Sequence, residues 1–360
     1  MLPYSRRVGA HLPLGGGMVK AADRAAEIGA DALQVFSDNP TAWRRRSSLP
    51  VELDAFKRRL AVLGIGPLAI HASYLINLAG PDDVFHEKSV AVLANELLTA
   101  QAYGATVVNV HIGSHRGTGI AAGVQRAATT VARAFEMAGA AGAAGAAGAE
   151  PILALENSAG GGFGLGSMID ELALVLAAIE SRGVPRHRVG LCLDTAHLWG
   201  AGHDISDAQR LDLVLDAFEA RIGLERLAMI HLNDSRSDLG AQTDRHQHIG
   251  AGQIGAAGLA AVLRSPRLLH VPCYLETPGM DAGYDAVNMS RCRDLLHGRP
   301  LPDLPEHALT MAGSRARTAP AREPGDDDDE DEPRGTAQTG AAGLAGLVVT
   351  GPNGPGERPG

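Results

Sequence analysis

Three features of this sequence predict an α/β chain folded as a closed (β/α)8 TIM barrel. Strand-like apolar runs alternate with helical stretches eight times within the first 300 of the 360 residues. Their connections are short, which demands parallel strands joined by right-handed crossovers, and the span suits the roughly 250 residues of a closed eight-stranded barrel. The third feature disfavours an open, doubly wound sheet. Gly15-Gly16-Gly17 follows the first strand several residues too late to serve as a dinucleotide-binding turn.

The first strand is Val8 to His11. Ala21, Ala25 and Ile28 then share a helical face that Gly29 closes. Strand two runs Ala32 to Phe36 and leads to a helix over Leu53 to Leu63. Leu68 to His71 is strand three, Val90 to Tyr103 its helix, and Thr106 to His111 strand four. Val124 to Met137 is helical, Ile152 to Glu156 is strand five, and Met168 to Ile179 is helical again. Strand six is Val189 to Asp194, with a helix at Leu211 to Arg221. Strand seven is Leu227 to Leu232, with a helix at Leu259 to Leu263, and Cys273 to Glu276 is strand eight.

Two segments stand outside this plan. From Leu301 the chain turns rich in Pro, Gly, Arg and Ala, carries the acid run Asp326 to Glu332 and ends in Gly-Pro repeats. It lacks the apolar content that offsets ordering, so residues 1–300 are the expected barrel domain and 301–360 a disordered tail in which the apolar patch Leu344 to Val349 stays solvated. Truncation after Leu301 is accordingly expected to leave melting and activity nearly unchanged. The Ala-Gly run Ala138 to Ala149 reads as an expanded loop at a helix end, because its glycines weaken any helix its alanines extend.

The net charge of −9 belongs largely to the tail, where 5 arginines face 11 acids; the first 300 residues hold 27 cations against 30 anions. Near balance permits a nucleic-acid partner if the cations cluster on one face. No apolar run approaches a membrane span and none follows the basic Met1 to Arg7, so neither a membrane nor a secretory leader is expected. Cys192, Cys273 and Cys292 form no CxxC pair, which fits a reducing cytoplasm, with Cys192 and Cys273 acting as small hydrophobes inside strands.

The strand ends carry the chemistry. Strand three ends in His71, four in His111, five in Glu156, six in Asp194 with His197 just beyond, seven in His231 and eight in Glu276. Asp244 and His246 follow in the long loop after strand seven. One Asp in such a place is usually a helix N-cap and one His a hydrogen-bonded core residue. Six successive strands ending this way are not explained by capping, because caps do not require His. All strand C-termini of a parallel barrel open on one face, so these nine side chains are predicted to converge in one bowl. Five imidazoles and four carboxylates without a thiolate suit zinc, with manganese and iron as borderline alternatives. Nine donors exceed the needs of one ion and a carboxylate can bridge, so two or three ions are implied. Clustered metals serve phosphate-ester hydrolysis by activating a shared water and offsetting charge on the attacking and leaving oxygens.

Longer motifs surround these residues: Gly9-Ala10-His11, Phe36-Ser37-Asp38-Asn39-Pro40, His71-Ala72-Ser73-Tyr74-Leu75-Ile76-Asn77-Leu78, Asn109-Val110-His111-Ile112-Gly113-Ser114-His115, Glu156-Asn157-Ser158-Ala159-Gly160, Asp194-Thr195-Ala196-His197, His231-Leu232-Asn233-Asp234-Ser235 and Asp244-Arg245-His246. In this order, from about Arg7 to Leu296, the sequence resembles endonuclease IV, the zinc-dependent apurinic/apyrimidinic endonuclease family. The resemblance implies a monomeric deoxyribonuclease IV-type phosphodiester hydrolase of DNA base excision repair. Such an enzyme cleaves duplex DNA 5′ to abasic sites, leaving a 3′-hydroxyl and a 5′-deoxyribose phosphate, and also removes 3′-blocking groups.

The same resemblance implies three Zn2+ ions, with Mn2+ as a partial substitute. His71, His111 and Glu156 would hold the first. Glu156 would bridge to the second, held with Asp194, His231 and Glu276, and His197, Asp244 and His246 would hold the third. A bridged water would attack phosphorus in line, with Glu156 as the catalytic residue that orients or deprotonates it. Tyr74 and Leu75 match the wedge that opens the duplex at the lesion; apart from the resemblance, Arg44, Arg45 and Arg46 after Trp43 read as a phosphate-contacting patch, and Arg245, flanked by two predicted ligands, as the residue that grips the scissile phosphate. The bland readings are that Tyr74 and Leu75 pack their own loop and that the arginine run is solvated surface.

Thr41, Ala72, Ile112 and Ala251 depart from common family residues without removing a metal ligand. They bear on damage recognition and on the surroundings of the ligands rather than on the reaction class. The alternative function, a metal-dependent sugar isomerase or epimerase on a related barrel, has no evident use for His197, Asp244 and His246 as a further ion site.

Overall fold

In a computed structural model that describes residues 6–142 and 149–311, the barrel strands are β1 (Val8–His11), β2 (Ala32–Phe36), β3 (Leu68–His71), β4 (Val107–His111), β5 (Ile152–Glu156), β6 (Val189–Asp194), β7 (Leu227–His231) and, after the short β8 (Asp234–Ser235) and β9 (His246–Gln247), β10 (Cys273–Leu275). They close in the order β1-β10-β7-β6-β5-β4-β3-β2, all parallel, with Val8 of β1 paired to Cys273 of β10. This is the expected TIM barrel. The β8–β9 pair is a separate antiparallel hairpin above the rim, with Ser235 opposite His246.

Helices α1 (Met18–Glu27), α2 (Leu53–Leu63), α3 (Asp83–Tyr103), α4 (Ile120–Gly142), α5 (Ile169–Glu180), α7 (Ala208–Arg221), α8 (Gly255–Arg264) and α9 (Tyr284–His297) wrap the outside. Two short ones are added: α6 (Thr195–Gly200) directly after β6, and α10 (Glu306–Leu309). Helix α3 starts well before the expected Val90 because Asp82 caps it, accepting from Phe85 N at 2.9 Å; apolar periodicity begins only later in that helix. Helix α9 gives no sequence signal because its inner face buries Asp285, Asn288 and Arg291 beside Met289, Cys292 and Leu295. Helix α4 runs into the Ala-Gly stretch as far as Gly142; most of the rest of that stretch lies outside the described residues.

Side chains alternate along each strand, and this period of two builds the site. The outward set, among them Leu33, Ile70, Val108, Leu155, Leu191 and Ile230, packs with Phe56, Leu93, Val131, Leu172 and Leu215 from the helices in the main apolar core. Each such side chain stabilises the fold by roughly 1.5–3 kcal/mol. The inward set has two layers. Ala32, Ala69, Val107, Ala154, Cys192, Met229 and Tyr274 form a buried plug. Two residues further on, the same strands present Gln34, His71, Asn109, Glu156, Asp194, His231 and Glu276. At β1, Gly9 lets the barrel close, since a Cβ there would sit 2.2 Å from the Ala32 carbonyl oxygen.

The domain boundary expected at Leu301 needs correction. Leu301, Leu304, Ala308 and Met311 provide apolar anchors within the Pro-rich stretch, and Ala308 is fully buried against the barrel. The folded body therefore continues past Leu301 and includes α10. The acid run Asp326 to Glu332 and the patch Leu344 to Val349 lie outside the described residues. Among those described, no helix is long and apolar enough to cross a membrane.

Candidate metal centre

All nine predicted donors meet at the mouth of the barrel. One donor atom each from His71, His111 and Glu156 lies within 4.8 Å of the others, and the same holds for Asp194, His231 and Glu276 and for Asp194, His197 and His246. Asp244 completes the last set from the loop before β9, with Oδ2 3.3 Å from His197 Nε2 and Oδ1 3.0 Å from His246 Nε2. Glu156 lies between sets: Oε2 is 3.2 Å from His111 Nε2 while Oε1 is 3.3 Å from His231 Nδ1.

Most of the imidazoles are fixed by the nitrogen that faces away from the bowl. His71 Nδ1 donates to Ala72 O at 2.8 Å, His197 Nδ1 to Asn157 O at 2.9 Å and His246 Nδ1 to Glu276 O at 2.9 Å, so all three turn Nε2 toward the bowl. His231 is reversed. Its Nε2 faces Gln34 Oε1 at 3.0 Å and its Nδ1 lies 3.3 Å from Glu276 Oε2. The carboxylates are held in the same way: Glu156 Oε2 accepts from Asn109 Nδ2 at 2.6 Å, Asp194 Oδ2 from Asn233 Nδ2 at 2.7 Å and Glu276 Oε1 from Gln34 Nε2 at 2.7 Å. His11 Nδ1 is a further 3.2 Å neighbour of Glu276 Oε1.

Asp194 satisfies both readings of an acid at a strand end. Its Oδ1 caps α6 by accepting from His197 N at 2.9 Å, which orients the His197 side chain, while Oδ2 lies 3.5 Å from His246 Nε2.

Three buried atoms of the predicted donors, Glu156 Oε1, His231 Nδ1 and His246 Nε2, have no hydrogen-bond partner, and neither do Asn109 Oδ1 and His11 Nε2 beside them. A buried unsatisfied polar atom costs about 1–3 kcal/mol, so three converging on one space mark a place shaped for a ligand that binds nitrogen and oxygen donors. The donor set fits zinc. The carboxylates give the bowl a negative field that favours a cation. Burial disfavours charge on His246, yet the Asp244 and Asp194 carboxylates outweigh it and raise the imidazole to about 10. His197 is raised the same way, against its burial, by Asp194 and Asp244. Burial alone would raise Glu156, but His111 and His231 hold it well below the ordinary carboxylate range. His71, where burial dominates, falls to about 4 and stays neutral, the form that donates to a metal.

Outside the ligands, Tyr74 is half-buried with its ring 5.3 Å from that of His71 and 5.1 Å from that of Phe36, and Leu75 is beside it, partly exposed. Arg245, between two predicted ligands, is exposed at the rim. The arginine run divides. Arg45 turns inward, donating to Asn39 O at 3.0 Å and Ala42 O at 2.7 Å, and Arg46 Nη2 lies 3.5 Å from Asp38 Oδ1, while Arg44 is exposed with no ion pair among the described residues. Thr41 hydrogen-bonds Asn39 Oδ1 at 2.9 Å, and Ala72 and Ile112 are buried.

The sequence reading missed Gln34, Asn109, Asn157 and Asn233, the residues that orient the ligands. A signal was present for two of them, since Asn109 and Asn233 stand two residues from His111 and His231. Cys192, read as a small hydrophobe, is such a residue, but its sulfur also lies within 4.8 Å of donor atoms of Glu156 and His231. Burial pushes its thiol up to about 12.

A family model described as a xylose isomerase-like TIM barrel matches residues 22–298. A probable endonuclease 4 from Methanoculleus marisnigri is 38% identical over 288 residues, covering 80% of this chain and 98% of the relative. Another, from Oleidesulfovibrio alaskensis, is 40% identical over 294 residues, or 81% of this chain and 96% of the relative. Among solved structures, endonuclease IV from Thermus thermophilus superposes with a TM-score of 0.69 at 37% identity, covering 81% of this chain and 99% of that one. A D-tagatose 3-epimerase-like protein, 15% identical with a TM-score of 0.57, covers 81% of this chain and 97% of its own length and shares the fold.

Proposed function

The chain belongs to the xylose isomerase-like TIM barrels and, within them, to the endonuclease IV family; on that premise we propose that it is a DNA repair endonuclease. It hydrolyses the phosphodiester bond 5′ to abasic sites in duplex DNA, leaves a 3′-hydroxyl and a 5′-deoxyribose phosphate, and also clears 3′-blocking groups. It works as a monomer in the cytoplasm, a compartment that suits its buried and unpaired Cys192, Cys273 and Cys292.

The observation that carries this reading is the sharing of carboxylates between adjacent donor sets, which keeps the ions within reach of a single phosphate. His71, His111 and Glu156 would hold one zinc, Glu156, Asp194, His231 and Glu276 a second, and His197, Asp244 and His246 a third, with manganese able to replace zinc in part. Such a cluster, when bound, supplies an activated water at neutral pH and offsets charge on the attacking and leaving oxygens. Glu156 Oε1, which forms no hydrogen bond although His197 Nδ1 and His231 Nδ1 lie 3.2 and 3.3 Å away, orients that water or takes its proton, while Asn109 keeps the other oxygen in place. Arg245 grips the scissile phosphate and Arg44 a neighbouring one. Tyr74, with Leu75, wedges into the stack where the abasic nucleotide is extruded, against an unstacking cost of a few kcal/mol.

The test pairs elemental analysis of purified protein with an incision assay on a defined abasic oligonucleotide, with and without chelator. About three zinc per chain and chelator-sensitive nicking 5′ to the lesion are expected. Incision that persists after all metal is removed would overturn the reading.

A further inference from the structure

Past α9 the chain returns to the rim, and residues 301–311 lie beyond the 22–298 that the family model matches. This stretch touches the β8–β9 hairpin through three backbone carbonyls. The Ala308 carbonyl accepts from His248 Nε2 at 3.1 Å, that of Leu309 from Gln247 Nε2 at 3.2 Å, and that of Met311 from the Arg236 guanidinium. Gln247 and His248 are the next two residues after His246, and Arg236 N donates to the carbonyl of Arg245, which separates Asp244 from His246. Leu301 presses on Gly250, where an added Cβ would come within 2.4 Å of it. Helix α9 forms the opposite side. Asn288 Oδ1 accepts from Ile249 N at 3.0 Å, its Nδ2 lies 3.0 Å from His248 Nδ1, and Arg291 donates both to Ile249 O at 2.5 Å and to Pro302 O at 2.6 Å.

We propose that residues 301–311 are a positioning strap that holds the hairpin, and with it Asp244 and His246, in the geometry that binds the third metal ion. The inference rests on the metal reading of the previous section. The hairpin has two residues in each strand, and a two-stranded hairpin of that size is not stable unaided. Asp244 stands in the loop before β9, outside any strand. The strap and α9 supply the support that the barrel supplies directly to His71, His111 and Glu156.

Three forms test this: the full chain, a truncation after residue 311 and a truncation after residue 300. Each is loaded with zinc, dialysed against dilute chelator and measured for metal content, melting and incision. The full chain and the longer truncation are expected to keep about three zinc each, whereas the shorter form keeps about two and rebinds the third roughly 10–100-fold more weakly. A double variant of the full chain, Arg236→Met with Gln247→Met, removes two links while leaving the strap in place. It is expected to show the same selective loss of one ion, and Arg236→Lys with native Gln247 to restore it. If the shorter truncation and the double variant fold and hold the third zinc as tightly as the full chain, the strap has no positioning role. A full chain that binds no zinc would instead overturn the metal reading itself, and with it the strap.

Discussion

The first and third donor sets are chemically alike and built by opposite means. His71, His111 and Glu156 end three neighbouring strands, with His111 paired directly to Glu156 across β4 and β5 and His71 paired to Asn109. The sheet that closes the barrel also spaces these donors. His197, Asp244 and His246 sit on a short helix, a loop and a two-residue strand, and their positions depend on an N-cap, on Asn157 and on contacts from the far end of the folded chain. A ligand on a barrel strand comes already organised; one above the rim needs a support of its own.

The largest expected effect comes from the residue that joins the sets. Glu156→Gln should lower incision of an abasic duplex by at least about 10²–10⁴-fold while the protein stays folded and still binds that duplex in an anisotropy titration. Nicking at an undiminished rate would refute its role. Next is Gln34, which holds both His231 and Glu276 from inside the barrel. Gln34→Leu should weaken zinc binding by roughly 10–100-fold in competition with a chelator, and it should do so at the second set while His71 and His111 keep their ion. Tyr74→Ala should leave metal content intact and weaken binding of the abasic duplex; if metal content falls instead, the ring only packs His71.

The smallest effect concerns the helical shell, which should respond to pH independently of the bowl. His86 on α3 is buried, with Nδ1 3.1 Å from Thr130 Oγ1, and burial, with Arg126 and Arg133 adding to it, lowers its pKa. The unfolded chain then binds the proton more readily. Stability is intact above the ordinary histidine value near 6.5 and declines as pH falls through that value toward the lower folded one. The slope is at most about 1 kcal/mol per pH unit before solvent screening reduces it. His86→Gln should flatten this part of the melting-versus-pH curve of the metal-free protein between about pH 7 and pH 5. An identical curve would mean that the group does not titrate there.

The barrel and the convergence of its strand-end donors were legible because two periodicities, apolar alternation and donors at successive strand ends, repeat often enough to exclude capping. Helix α6, the β8–β9 hairpin and α10 were not, since each is too short to show a period. Helix α9 was hidden by its buried polar face. The orienting Gln34 and Asn157 carry no signal of their own; they are recognisable only once the neighbouring imidazoles are known to face inward. The arginine run shows the reverse failure, in that three residues identical in sequence divide in space, one turned inward, one facing an aspartate and one with no ion pair among the described residues.

The plug under the bowl has a consequence for traffic. Tyr274, whose hydroxyl donates to Pro67 O at 3.2 Å, is buried with Met229 and the inward alanines beneath the donors and gives them a floor, so the bowl opens at the mouth of the barrel. On the proposed reading, ions, water and reaction products would share that opening with the duplex. A docked strand would cover it, so the ions are expected to load before DNA arrives and to stay until the nicked product leaves.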